Sequence, residues 1–383
     1  MKIAIYETVH IECAIPLAIL LKGSGYSVTF YVHETMKTDI QHALTDHDYA
    51  GFEWVYLSDQ PFFSLYRLLN GQINARQYDL FWLNTNDSKH LAFAALKLKY
   101  PRMKMAINVH EVNNFFRPRF TLYPKQVLRL ISKKLLSTMA DVFIVNTRQM
   151  KENIVRRSLT RKQSYVMTPV FYSPATIDRP FTSPDTLYVV IPGSVDCRRK
   201  DYMIVLHAWG KFIEAKDPQI DATLILAGNY TLHGAAIAAA CQQNPVLKET
   251  VRLFEKDIPE QDFQQILANA TILLSPQHRI TSTSDYTTEE YGVTKTSGNI
   301  QDAIWHAKPI VVPGFLQIFE EISSSAIRYS GEAALTAIFH DLCSNKAALA
   351  AMYQTAKTNS EKFSYNIMRE KLLSVIAAIS TPQ

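Results

Sequence analysis

The chain has 383 residues, too many for one ordinary hydrophobic core and enough for two domains. With 47% hydrophobic and 20% charged residues, its composition excludes a disordered chain and fits a soluble globular one. The net charge of +5 is uneven: residues 1–180 hold 23 Lys/Arg against 14 Asp/Glu and the rest hold 17 against 21, so an anionic partner is expected for the first half.

In chain order, the opening MKIAIYETVH alternates like a short strand and lacks the apolar run of a leader. The longest apolar stretch near it, Ala14–Leu21, falls far short of a membrane span. A cytoplasmic protein, peripheral at most to the inner face of a membrane, is expected. Candidate strands follow at Lys2–Tyr6, Ser27–Val32, Leu80–Leu83, Met105–Val109 and Val142–Val145. Helical patterns lie between them at Cys13–Lys22, Lys89–Lys99 and Lys125–Met139. Short apolar strands separated by helices predict βαβ units and a parallel sheet.

A stretch with three prolines, Ser173–Pro184, breaks the pattern and predicts a linker over 173–186 between domains at 1–172 and 187–383. The strand series then restarts at Leu187–Ile191, Thr223–Ala227, Val251–Phe254, Ile272–Leu274 and Ile310–Val312. Its helices are Asp201–Ala215, Glu260–Ala268 and Asn299–His306, and from Asn345 the tail is helical. The expected fold class is α/β, with two Rossmann-like domains whose parallel sheets face each other across a cleft. Ligands of such sheets bind outside the carboxyl ends of the strands, so the loops there are where chemistry is sought. Neither half carries GxGxxG or a P-loop, which disfavours dinucleotides and ATP.

Cysteines 13, 197, 241 and 343 are scattered without CxxC spacing, as suits reduced thiols rather than disulfides or zinc. Asp46-His-Asp48 reads as a solvated turn, and no metal site is expected. His10-Ile-Glu12 has the opening spacing of a deaminase motif, but no PCxxC follows it.

The segment Thr288–Asp302 runs acid, aromatic, glycine and small hydroxylated residues into a helix, followed by Lys308-Pro-Ile-Val311. Amides at a helix start carry partial positive charge and suit a diphosphate. Gly292 and Gly298 permit close approach of that backbone, and Lys295 adds a full charge. Glu289-Glu-Tyr-Gly292 and Lys308-Pro-Ile-Val311 resemble the opening and close of the signature of the group 1 (family 4) glycosyltransferases, which have the two-Rossmann GT-B fold. The resemblance implies contact of Glu289 with the donor sugar, while the helix-start argument makes Gly292, Val293, Thr294, Lys295 and Ser297 the expected diphosphate loop. The signature's second acid, which holds the ribose, is absent: Ser297 stands there, and the nearest downstream carboxylate is Asp302.

Ile191–Lys200 resembles the loop after the first donor-domain strand in that family. Gly193 would approach the phosphates there, and Arg199 or Lys200 would bind them. His110, next to Glu111, stands where the family often has a histidine contacting the donor sugar. His10, just past the first strand, lies in the loop that usually receives the acceptor, and its pKa near neutrality suits a general base. The resemblance implies retention of anomeric configuration, whereas a base at His10 suits inversion.

From Asn113 to Ala140 there is no acidic residue among Arg117, Arg119, Lys125, Arg129, Lys133 and Lys134, and Leu128, Ile131, Leu135 and Met139 repeat at helical spacing. Two readings fit: an anionic membrane surface, or a core stripe with a solvated basic face. A nucleic-acid role is not expected.

The leading expectation is a metal-independent glycosyltransferase in cell-surface polysaccharide assembly. It would move a sugar from a nucleoside diphosphate sugar to a glycan or lipid-linked saccharide, with no cofactor beyond the donor substrate. Two alternatives share the fold: a non-catalytic sugar-nucleotide-binding subunit, and a nucleotide-sugar 2-epimerase.

Overall fold

The structure, a computed structural model, describes residues 1–44, 52–85, 89–120, 122–172, 186–282 and 287–381. The Asp46–Asp48 turn and the proline-rich stretch at 173–185 lie outside the described residues.

Seven parallel strands form the first sheet: β1 (Lys2–Glu7), β2 (Ser27–His33), β3 (Phe52–Leu57), β4 (Leu80–Leu83), β5 (Lys104–Val109), β6 (Val142–Val145) and β7 (Gln163–Val166), in the order 3-2-1-4-5-6-7. The second half repeats this plan with β8 (Thr186–Pro192), β9 (Asp221–Asn229), β10 (Val251–Phe254), β11 (Ile272–Leu274), β14 (Ile310–Pro313) and β15 (Ala326–Tyr329), ordered 10-9-8-11-14-15. A separate antiparallel hairpin is made by β12 (Ile280–Ser282) and β13 (Thr288–Glu290). Both sheets thus reverse strand direction of travel beside their first strand, at β1/β4 and β8/β11, which is the Rossmann switch point where ligands bind. The expected α/β class with two Rossmann-like domains is what the chain forms.

Central strands read clearly in the sequence because helices cover both their faces. Leu80–Leu83 and Ile310–Pro313 are buried throughout, as a doubly covered parallel sheet requires. The sequence reading missed the edge strands β3, β7 and β15 and the hairpin strands β12 and β13, and found the fourth edge strand, β10. Half-solvated edges mix polar residues into short runs such as Gln163-Ser-Tyr-Val166, so the apolar signal fades.

The last helix, Tyr365–Ser380, returns to the first half. Tyr365 Oη donates to the carbonyl of Ile19 at 3.5 Å, and Arg369 Nη2 donates to that of Gly23 at 3.0 Å. Leu372 and Ile376 of this helix share a continuous apolar core with Ile3 and Leu17 of the first domain and with Val190 and Ile304 of the second. Among the described residues no helix is long and apolar enough to cross a membrane.

Candidate functional site

At the first switch point β1 ends in Glu7, a fully buried acid closing an apolar strand. Its carboxylate accepts from the amides of Val9 (2.9 Å) and His10 (2.8 Å), from Asn84 Nδ2 (2.7 Å) and from the Thr85 hydroxyl. Burial pushes the Glu7 carboxyl above its ordinary range, while His10 and Thr85 pull the other way. The acid therefore pins the loop after β1 to the end of β4. His10 then opens the helix Ile11–Leu21, its Nδ1 lying 2.8 Å from Glu12 Oε1. The ring centroid of His10 lies 5.6 Å from that of His110. His110 follows β5, and its Nε2–H donates to the carbonyl of Asn84 at 2.8 Å.

The donor-loop acid Glu289 is fully buried on β13. Its carboxylate accepts from the amides of Asn114 (2.7 Å) and Asn113 (3.3 Å) in the first turn of the short helix Val112–Phe116. An acid at the positive end of a helix replaces the missing intrahelical partners of those amides. Burial pushes Glu289 up to about 7, against the bonds from Thr294, Asn114 and Asn113. Around this contact the Val112 amide donates to the Thr294 carbonyl (3.0 Å), Asn113 Nδ2 to that of Thr288 (2.8 Å) and the Arg119 amide to Thr287 Oγ1 (3.0 Å). Lys295 Nζ pairs with Glu111, which also accepts from Asn114 Nδ2 at 2.8 Å. Burial alone would raise the Glu111 carboxyl, but the Lys295 ammonium holds it below the ordinary range. Glu289 and Lys295, expected at the donor, are thus engaged with the first domain's loop after β5.

The two loop glycines differ. Gly292 has φ +82°, and a Cβ there would lie 2.7 Å from the Gln317 amide nitrogen, so it is reserved for a chain crossing. A Cβ on Gly298 would meet nothing within 4 Å, so the first residue of the helix Gly298–Trp305 is exposed. Between them Val293 donates its amide to the Glu290 carbonyl (3.1 Å), and Thr294 Oγ1 accepts from the Glu290 amide (2.8 Å). Ser297, the helix N-cap residue, makes no side-chain cap and instead accepts from Gln277 Nε2 at 2.8 Å. Beside it, Gln277 Oε1 and Asn299 Nδ2 are buried without a protein partner.

At the second switch point Gly193 adopts φ +77° directly after β8. Gly228, at the end of β9, lets this turn pass, since a Cβ there would sit 2.4 Å from the Gly193 carbonyl oxygen. Lys200 is buried, with Nζ donating to the carbonyl of Pro192 and lying 3.4 Å from those of Gly193 and Ser194. Burial lowers its ammonium to about 7, opposed by Asp302. Arg199 is half-exposed, its Nε 3.4 Å from the buried Asp196, which Arg198 also holds at 2.8 Å. Asp302 is half-buried and pushed up to about 7 by burial and by Glu12 and Glu260, with Lys200 opposing. Among the described residues its carboxylate forms no ion pair. Two cationic side chains, a left-handed glycine turn and an uncapped helix start together suit an anion with several oxygens.

Sequence reasoning passed over Glu7 and Glu12. A lone acid ending an apolar strand was the available signal for Glu7, whereas Glu12 stood out only in the His10-Ile-Glu12 spacing and gains its partner, His10, in the fold.

On the helix Pro124–Met139 the expected stripe divides: Leu128, Ile131 and Leu135 are 59%, 55% and 41% exposed, whereas Met139 packs against the first domain's core. Phe120, Leu122 and Tyr123 extend the exposed apolar surface. The opposite face is inward: Leu136 is buried, and the buried Lys133 Nζ donates to Asn114 Oδ1 at 2.8 Å.

Two parallel Rossmann-like sheets joined in this way define a GT-B glycosyltransferase-like fold. Anabaena Alr3699/HepE, solved in complex with UDP, matches with a TM-score of 0.66 at 14% identity, over 99% of this chain and 100% of that one. The pneumococcal O-GlcNAc transferase GtfA, in complex with UDP and GlcNAc, matches with 0.64 at 11% identity over 100% and 99%. The UDP-GlcNAc 2-epimerase from Neisseria meningitidis, bound to UDP-GlcNAc, matches with 0.58 at 13% identity over 98% and 100%. Neither a protein-family model nor a curated protein matches the sequence.

Proposed function

We propose that the protein is a glycosyltransferase that moves a sugar from a uridine diphosphate sugar to a glycan or lipid-linked saccharide. The observation that carries the reading is the second switch point, where the buried Lys200 lies 3.4 Å from the Gly193 carbonyl and bridges to Gln277, which in turn donates to Ser297 at the start of the helix Gly298–Trp305. Solved proteins of the same fold hold UDP or a UDP-sugar. In this reading Arg199, Lys200 and the Ser297–Gly298 amides hold the diphosphate. Asp302 takes the ribose in place of the missing second acid, and His110 faces the donor sugar. Glu289 acts through the first domain, fixing the loop that carries His110 and Glu111. The exposed stripe Leu128, Ile131 and Leu135, with its basic flanks, lies on an anionic membrane, where each cation contributes about 1 kcal/mol. That contact would bring a lipid-linked acceptor to the first domain.

One observation favours a second reading. Glu7 and Glu12 both lie against His10, whose ring neighbours that of His110, and cleft acids of this kind are what a 2-epimerase would need. Thermal stabilisation by a panel of nucleotides and nucleotide sugars tests the site, since a ligand bound only by the native state raises Tm by mass action. A shift with UDP or a UDP-sugar that Lys200→Met abolishes supports it. Release of UDP accelerated by an acceptor marks a transferase, conversion of the sugar without acceptor an epimerase, and binding without either a non-catalytic subunit. No shift with any nucleotide overturns the assignment.

A further inference from the structure

Away from the donor site, a groove of about 640 Å³ opens where the two halves meet beyond the ends of β6 and β7. One wall is the helix Arg148–Arg156, which follows β6, and the facing wall is the segment after β14 that begins at Phe319. The returning C-terminal helix closes the side with Lys371. The floor is fixed. Phe319 and Phe363 are buried with their rings edge to face, centroids 5.8 Å apart, and the Thr168 hydroxyl is given to the Asn146 carbonyl. The Tyr172 amide donates to the Phe363 carbonyl at 2.8 Å, and Lys362 Nζ donates to that of Glu321 at 3.0 Å.

The rim is built otherwise. Four cations (Arg148, Lys151, Arg156 and Lys371) stand there with three acids (Glu152, Glu320 and Glu321). Arg148 pairs with Glu152 at 2.8 Å. Lys371 faces Glu321 without closing to an ion pair. Among the described residues the side chains of Lys151, Arg156 and Glu320 form neither an ion pair nor a hydrogen bond, so donors and acceptors remain open along a rigid apolar floor.

A rim so nearly balanced selects neither an anion nor a cation. It suits a ligand whose every polar group both donates and accepts, which is the property of a sugar hydroxyl. Guanidinium and carboxylate present paired donors and paired acceptors in a plane, a match for vicinal hydroxyls, while an aromatic floor suits the C–H face of a pyranose. The volume lies within the range of about 300–1,000 Å³ that encloses a small ligand, here a short oligosaccharide. We propose that this groove binds a neutral oligosaccharide, the body of the acceptor glycan behind its reacting end. The acceptor role rests on the transferase reading. Neighbouring strands are about 4.8 Å apart, so the groove begins about 5–10 Å along the strand ends from β5, which leads into His110. A glycan filling the groove can therefore extend toward the donor sugar, whereas a single sugar at the reacting centre does not reach the groove. Because its walls come from both halves, the groove is complete only while they are docked.

The test presents the full-length protein to an array of neutral, acidic and amino-sugar oligosaccharides, then measures Kd for the best glycan by ligand-observed NMR. Val155 is 64% exposed on the groove wall, so Val155→Trp fills the space, and Arg156→Ala and Glu320→Ala remove open rim groups. A neutral oligosaccharide should bind, and each variant should raise its Kd by about fivefold or more, the worth of a lost hydrogen bond. Tm and its shift with UDP should stay as in the parent. With a UDP-sugar, the variants should raise KM for the oligosaccharide at unchanged kcat and leave a monosaccharide acceptor unaffected. No bound glycan, a Kd indifferent to all three variants, or displacement of the glycan by inorganic phosphate overturns the inference. Transfer whose KM ignores the variants refutes the groove and leaves the transferase reading standing. Glycan binding that the variants weaken, with no transfer from any UDP-sugar, leaves a saccharide site and refutes the transferase reading and the acceptor role with it.

Discussion

Glu289→Gln is the sharpest probe of how the two domains are joined. The parent carboxyl is fully buried and rises from an ordinary 4.5 to about 7. A carboxyl that binds its proton more tightly in the folded state contributes stability that is complete below about 4.5 and is lost as pH rises through about 7. That shift corresponds to about 3 kcal/mol between the two ends of the window. Glutamine keeps the neutral shape and one oxygen for the 2.7 Å contact from the Asn114 amide, but it cannot ionise. At pH 5 the variant should match the parent within about 1 kcal/mol, the worth of the weaker 3.3 Å contact from Asn113. At pH 8 the parent carries a buried carboxylate, and the variant should be the more stable by about 1–3 kcal/mol. The assay is denaturant unfolding of both proteins from pH 4.5 to 8.5, read as their difference so that other titrating groups, Asp302 among them, cancel. Parallel curves would refute the reasoning, and a variant less stable at pH 8 would mean that the helix amides outweigh burial.

Lys200, lowered by burial to about 7, should bind a diphosphate only when protonated. UDP affinity should then weaken by about tenfold per pH unit above 7, a dependence that calorimetry should find missing in Lys200→Met. Gly228→Ala puts a Cβ 2.4 Å from the Gly193 carbonyl oxygen, and the two backbones must separate. A loss of about 1–3 kcal/mol and of the UDP-induced Tm shift is expected, and an unchanged melting curve would contradict the packing. Ile131→Asp and Leu128→Asp alter exposed positions, so stability should hold within about 0.5 kcal/mol while sedimentation with anionic vesicles is lost. Vesicle binding by both variants would exclude this face as the docking surface.

Much of the architecture was legible because a parallel sheet buried on both faces writes continuous apolar runs into the chain, as at Leu80–Leu83 and Ile310–Val312. The loops that follow were legible for the same reason: once strand ends are known, His10 falls at the first switch point, Gly193 and Lys200 at the second, and His110 just past β5. Edge strands β3, β7 and β15 were not, since one open edge and partial solvation dilute their pattern.

The sequence by itself determined two βαβ series, their order and the loops that meet the cleft, because apolar periodicity records local burial along a single element. Only the tertiary structure decided what those loops touch. Glu289 looks like an open donor-site acid in its motif, yet it ends on amides 175 and 176 residues earlier in the chain, and Lys295 ends on Glu111, 184 residues away. The apolar stripe at Leu128, Ile131 and Leu135 has one helical period whether it faces core or solvent, and the packing of Leu136 and Lys133 inward turned it outward. Period fixes which residues share a face; the partner of that face is set by domain docking, which joins positions too far apart for any local pattern to record.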